Sequence, residues 1–262
     1  LDPVARLLVL AVTVLVTLTA CGGGATQDAS ASTSPPVVGV CRMLSAADVS
    51  RPSNASRPVA CSEPHDTETF AVGTLPQSLR HKAYDDPALD RWAYATCSAA
   101  FSPYLDTDDS TAMRSLLSWI WFRPSQAAWK RGARWYRCDI LGGAATQDRY
   151  VDLPTTTKNL LQGRGDDHWM ACAKGRTVAT STKVPCSAAH NWRAVTTIRL
   201  GEPGDRYPGD AAVRAKTKTY CADSVDAWLG YPSDYDYGYT WYGAQEWAAG
   251  NRRSVCWAAT TQ

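Results

Sequence analysis

Hydrophobic positions in this chain of 262 residues change their period from one stretch to the next, and each period predicts an element. Residues 7–20, LLVLAVTVLVTLTA, form an unbroken apolar run behind one basic residue, Arg6. The run is shorter than the roughly 20 residues that a membrane-spanning helix needs, and fits the core of a secretory signal. Residues 22–36, GGGATQDASASTSPP, lack aromatics and cannot build a core. Further on, Cys97, Phe101, Tyr104 and Leu105 fall at i, i+4, i+7 and i+8, and Cys221, Val225, Trp228 and Leu229 repeat those offsets. That stripe predicts two amphipathic helices whose cysteines face a core. Pro87 and Pro208-Gly209 punctuate their starts. Residues 68–72 and 192–198 mix β-branched and aromatic side chains with polar ones, as partly buried strands do.

The cysteines carry the same duplication. Setting Cys21 aside, Cys41, Cys61, Cys97 and Cys138 are spaced by 20, 36 and 41 positions, and Cys172, Cys186, Cys221 and Cys256 by 14, 35 and 35. Val59-Ala-Cys61-Ser-Glu-Pro-His65 matches Val184-Pro-Cys186-Ser-Ala-Ala-His190. Trp119-Ile-Trp121-Phe122 parallels Tyr239-Thr-Trp241-Tyr242, and Trp129-x-x-Gly132 and Trp247-x-x-Gly250 each precede a cysteine by nine and six positions. Each tail reads as a strand, a turn-containing link, a glycine turn and a closing strand ending in cysteine. The chain is therefore expected to be α+β, with two related disulfide-braced units, each a small antiparallel sheet with one helix. The first unit takes residues 39–141, a connector 142–171, and the second unit 172–259. The connector has no counterpart before Cys41 and is a candidate to pack across both units.

An even set of eight cysteines with no C-x-x-C pair reads as a disulfide framework of an exported chain rather than a zinc site. Eight cysteines allow 105 pairings, and spacing alone does not select one. The arrangement expected is Cys41–Cys61, Cys97–Cys138, Cys172–Cys186 and Cys221–Cys256, each bond contributing about 2–4 kcal/mol. Leu18-Thr-Ala-Cys21 resembles a bacterial lipobox, in which a small residue precedes a cysteine that becomes the lipidated N-terminus. Residues 1–20 are then a lipoprotein signal peptide, Cys21 carries the diacylglyceryl and palmitate-type chains, and residues 21–38 are a flexible tether. About 17 such residues hold a folded body roughly 20–25 Å from the membrane. The implied location is the extracytoplasmic face of the cell membrane.

The lipobox, the paired V-x-C-S-x-x-H segments, Tyr235-Asp-Tyr-Gly-Tyr-Thr-Trp241 and Gly250-Asn-Arg-Arg-Ser-Val-Cys256-Trp257 together resemble the actinobacterial septum-formation family over about residues 39–259. The resemblance implies a cell-envelope protein associated with division septa. It supplies no reaction and no catalytic residue.

Charge and chemistry narrow the function further. Lys+Arg at 27 against Asp+Glu at 25 leaves a net charge of +2, too even for an electrostatic nucleic-acid binder. No G-x-S-x-G, S-x-x-K, H-E-x-x-H or phosphate-cradling glycine loop is present. His65 and His190 occupy matching positions, but Asp66 beside the first is replaced by Asn191 beside the second, so a His-Asp dyad is not repeated. A structural imidazole bonded to loop backbone is the expectation. Asp166-Asp167-His168-Trp169 and Asp106-x-Asp108-Asp109 are the densest acidic clusters, and the latter lacks the ligand spacing of a calcium loop. Neither a metal nor a cofactor is expected, and the chain reads as a non-enzyme.

The aromatics offer the remaining chemistry, since 11 Trp and 12 Tyr are many for this length. Repetition of Trp119, Trp121, Trp129, Trp135, Trp241 and Trp247 favours core packing, whereas the tyrosines of 231–242 are too crowded to be buried together. Tyr237, Trp241, Trp121 and Trp247 are the candidate ligand-binding residues. A binding or scaffolding protein is expected, with the membrane as one partner through Cys21. Envelope or divisome proteins, or wall glycan stacked on exposed rings, are the other candidate partners. An exported hydrolase is the least favoured reading.

Overall fold

The computed structural model describes residues 33–143, 150–163, 165–202 and 204–260. The expected signal peptide, Cys21 and most of the tether lie outside the described residues. The first unit runs β1 (Cys41–Arg42), α1 (Ala46–Val49), β2 (Thr67–Thr74), α2 (Pro87–Tyr104), α3 (Asp109–Met113), β3 (Leu117–Phe122), α4 (Gln126–Lys130) and β4 (Trp135–Gly142). The second runs β5 (Ala171–Lys174), β6 (Thr182–Pro185), β7 (Trp192–Arg199), α5 (Asp210–Leu229), β8 (Tyr237–Thr240), α6 (Ala244–Ala249) and β9 (Arg253–Ala259). The fold is α+β, and both sheets are antiparallel, in the orders β1-β2-β4-β3 and β6-β5-β7-β9-β8.

The two orders are one plan. Cys41 bridges Val59 as Cys172 pairs with Val184, so an isolated bridge stands where the second sheet has a full strand. A register shift falls between Thr69 and Ala71 on β2 and between Ala194 and Thr196 on β7. The extra residue at each bulge, Phe70 or Val195, is buried in the core beside its unit's helix. One long helix lies on each sheet and is tied to an inner strand, by Cys97–Cys138 to β4 and by Cys221–Cys256 to β9. Cys41–Cys61 and Cys172–Cys186 tie each first strand to the segment that follows it. This is the pairing expected above, confined to each unit.

Local chemistry sets the helix ends. Asp86 accepts the Ala88 amide at 2.8 Å with Pro87 in the first turn, and α5 stops at Gly230 in the left-handed region. α5 buries Val213, Thr217, Cys221 and Val225, a line of four-residue steps. Trp228 does not join that line as expected: it falls beyond Val225 in the last turn and is 49% exposed. Two other expectations need correcting. The turn-containing links are short helices, α4 and α6, each ending at a glycine with positive φ, Gly132 at 94° and Gly250 at 125°. The closing strands do not end at cysteine, because β4 and β9 are paired on both sides and their partners extend beyond Cys138 and Cys256.

The connector packs mainly on the first unit. Leu153, Leu161 and Trp169 enter its core, and Glu68 accepts bonds from the Tyr104, Thr156 and Thr157 hydroxyls. At its end the Leu116 amide donates to Trp169 and the Ala171 amide to Arg114, each at 2.7 Å. Met113 and Leu116 thereby reach the second sheet and pack against Ala171, Ala173, Val178, Ala194, Val255 and Trp257. Among the described residues no helix is long and apolar enough to cross a membrane.

Candidate functional site

The paired histidines are structural twins. Each is buried, His65 1% and His190 3% exposed, on the loop leading into β2 or β7. His65 Nδ1 lies 2.8 Å from the Glu63 carbonyl, and His190 Nδ1 lies 2.7 Å from that of Ala188. A carbonyl only accepts, so Nδ1 carries the proton in both and the ring pins its own turn. The neighbours are twins too: Asp66 Oδ1 accepts the Leu44 amide at 2.9 Å, and Asn191 Oδ1 accepts the Gly175 amide at 3.0 Å. An acid and an amide do the same job, so the exchange between them costs the fold no hydrogen bond. Burial pushes the Asp66 carboxyl up to about 6.

The far ring nitrogens differ. His65 Nε2 is sealed without a partner. His190 instead lines a cleft of about 590 Å³ between the units, with Arg114, Arg193, Trp228 and Thr260 around it. Both arginines there have an acid close by: Arg193 pairs with Asp167, and Asp108 lies near Arg114. Other acids of these clusters are engaged too: Asp109 accepts from the Ser102 hydroxyl at 2.7 Å and pairs with Arg253 of the second unit at 3.5 Å. Asp166 accepts the His168 amide, and Asp108 caps α3 through Thr111. Among the described residues no group of three or more His, Cys, Asp or Glu is placed to hold a metal ion.

The aromatic candidates separate by exposure. Trp247, 5% exposed, is a core residue: its indole donates to the Asp205 carbonyl, and Arg252 lies over its ring while bonding its carbonyl. Trp129 and Arg134 make the same arrangement in the first unit. W-x-x-G-x-R is thus a turn-forming device that the fold needs twice, and the reading of Trp247 as a binding residue is corrected by its burial. Trp121 is half-buried under Arg123, whose guanidinium lies 5.0 Å from the Trp121 ring and 4.9 Å from Tyr84. Strand register also corrects the match between the units. Trp121 faces Cys138 as Tyr239 faces Cys256, so the counterpart of Trp121 is Tyr239, and that of Trp241 is Arg123.

What remains is a continuous row. Tyr235, Tyr237, Tyr239 and Trp241 alternate along β8, the edge strand of the second sheet, and the residues flanking it, so their rings stand on one face. Successive centroids are 6.0, 6.3 and 5.8 Å apart, with planes 37°, 31° and 33° from parallel. The Tyr235 hydroxyl donates to the Ala222 carbonyl at 3.0 Å and fixes one end to α5. Inner edges of the tyrosines pack on Val195, Val225 and Ala258, while Trp241 at the other end is 36% exposed. Tyr235 and Tyr239 belong to this row on the same footing as Tyr237 and Trp241. Their signal in the sequence is the period of two in Tyr-Asp-Tyr-Gly-Tyr-Thr-Trp, which the crowding of rings obscures.

No curated protein and no solved structure compared with this chain matches it. A family model described as septum formation matches residues 38–256, from the turn before the first disulfide to the last cysteine. That span takes in the first sheet, all but the end of the second, all four bridges and the aromatic row, and on it the chain belongs to the septum-formation family.

Proposed function

We propose that this is a non-catalytic, lipid-anchored envelope protein that serves septum formation by binding, with the row Tyr235–Tyr237–Tyr239–Trp241 as its recognition surface. The observation that carries this reading is the row itself. Four rings in near-uniform tilt on an edge strand offer a flat, partly solvated apolar strip with hydroxyls along it. Tyrosine and tryptophan supply contact area of this kind at low entropic cost. The non-catalytic part is supported by the histidines and acids, whose visible hydrogen bonds hold turns and helix caps.

The spacing of the rings favours wall glycan over a protein as the bound chain, because sugar faces stack on successive aromatic planes. A partner protein of the envelope or divisome is the other occupant that this surface suits. Retention on purified wall sacculi separates them. The glycan reading predicts that the purified protein binds sacculi alone and that Trp241→Ala, at the exposed end of the row, weakens binding several-fold without changing the unfolding midpoint. Retention that needs added envelope proteins contradicts it and favours a scaffold. In the same cells Cys21→Ser is expected to move the protein out of the membrane fraction.

A further inference from the structure

The chain enters the first unit beside Thr74 and Trp135, at one end of its sheet. Thr33 and Pro35 line a groove of about 370 Å³ there, together with Arg80, Arg131, Arg134 and Trp135. The two segments that frame it, residues 75–86 and 126–134, contain Arg80, His81, Lys82, Lys130, Arg131 and Arg134 against Asp85 and Asp86 alone. Lys82 is held by Asp86 at 3.3 Å. Arg80, Lys130 and Arg131 are exposed, Arg80 with its Nε donating to the Leu75 carbonyl at 2.9 Å, and Arg134 is partly buried and donates to the carbonyls of Arg80, Trp129 and Ala133.

The second unit acts as an internal control for what the fold requires. At its matching turn it keeps the structural arginine, Arg252, with the same contacts to the preceding tryptophan. Lys130 and Arg131 become Ala248 and Ala249, and the matching loop after β7 carries Glu202 and Asp205 with one cation, Arg206. The fold therefore forms without the added cations. They occur on the one unit whose end lies where the chain arrives from the tether.

We propose that this basic end docks on an acidic phospholipid surface, the membrane that holds the chain's own anchor. The inference rests on the lipid-anchor reading for its setting. Twelve positions separate Cys21 from Thr33, and a Gly- and Ser-rich linker of that length reaches roughly 20 Å, about two screening lengths at physiological salt. A patch at the exit of so short a tether meets headgroups often, and opposite charge converts that proximity into an orientation. With the basic end on the membrane, the body is held in one pose instead of tumbling on its tether.

The test uses the secreted Cys21→Ser chain, which has no acyl group, so vesicle binding reads the patch and not the anchor. Sedimentation with phosphatidylglycerol-containing vesicles should exceed that with pure phosphatidylcholine several-fold and vanish at high salt. Arg80→Gln with Arg131→Gln should lower it several-fold, and Arg80→Lys with Arg131→Lys should keep it. Equal binding to both vesicle types, or no loss in the glutamine variant, overturns the proposal. So does release by low concentrations of inorganic phosphate, which would mark a phosphate site instead of a lipid surface. Failure of the anchor reading would show separately, as wild-type protein missing from the membrane fraction of cells.

Discussion

On the face of the first sheet turned away from α2, Arg42, Thr69, Arg137 and Asp139 form a buried polar network. On the same face of the second sheet, strand register puts Ala173, Ala194, Val255 and Trp257 at the matching positions. In the first, Arg42 donates to the Thr69 hydroxyl at 3.0 Å and that hydroxyl to Asp139 at 2.7 Å. Arg137 Nε lies 3.0 Å from Asp139 as an ion pair without an aligned hydrogen bond, and its Nη2 donates to Asn54. Burial, followed by the charge of Arg137, pulls Arg42 down to about 10. The long segment between Cys41 and Cys61 belongs to this unit's own cover, and Asn54 on it takes part in the network. The second unit's first disulfide closes only 14 positions, and its apolar face is covered by Met113 and Leu116 of the first unit. The same scaffold therefore takes either chemistry on this face, depending on whether a unit covers itself or borrows its cover.

Separating the units should break this comparison most sharply. A fragment of residues 165–262 bares the Ala173, Ala194, Val255 and Trp257 face, and is expected to aggregate or remain molten by gel filtration and near-UV circular dichroism. A fragment of residues 33–169 keeps its own cover and the connector residues that enter its core, Leu153, Leu161 and Trp169, and should stay folded and monomeric. A second-unit fragment that is folded and monomeric would mean that the borrowed cover contributes little.

A smaller effect sharpens the comparison at the twin turns. The folded-state pKa of Asp66 is raised to about 6 by burial, above its ordinary value of 3.8. The folded chain then binds a proton more readily than the unfolded one, so stability falls as pH rises from about 4 to 6 and stays lower above that. Asp66→Asn keeps the bond to Leu44, removes this slope, and should add about 1–2 kcal/mol at pH 7. Asn191→Asp should introduce a similar slope in the second unit. Urea unfolding across that pH range measures both, and a slope unchanged in Asp66→Asn would assign the pH dependence elsewhere.

Local periodicity explains what was legible in the sequence. The helix stripes around Cys97 and Cys221 and the strand runs beside the histidines act over a few residues, and all four elements stand where their spacing put them. The back faces were not legible, because Arg42, Arg137 and Asp139 look like ordinary surface charges until a distant segment is known to cover them. Trp121 was matched to Trp241 by letter, whereas the cysteine-centred strand register matches it to Tyr239. Trp247 carried the residue type of a ligand platform. Only the contact with Arg252 and the bond to Asp205 reveal it as a turn residue.

The account depends most on two units closed separately by their own sulfur bridges. Peptide mapping of the native protein without reduction reads this directly. It should recover Cys41 with Cys61, Cys97 with Cys138, Cys172 with Cys186 and Cys221 with Cys256. A bridge joining a cysteine of one unit to a cysteine of the other, or a free thiol among the eight, would contradict it.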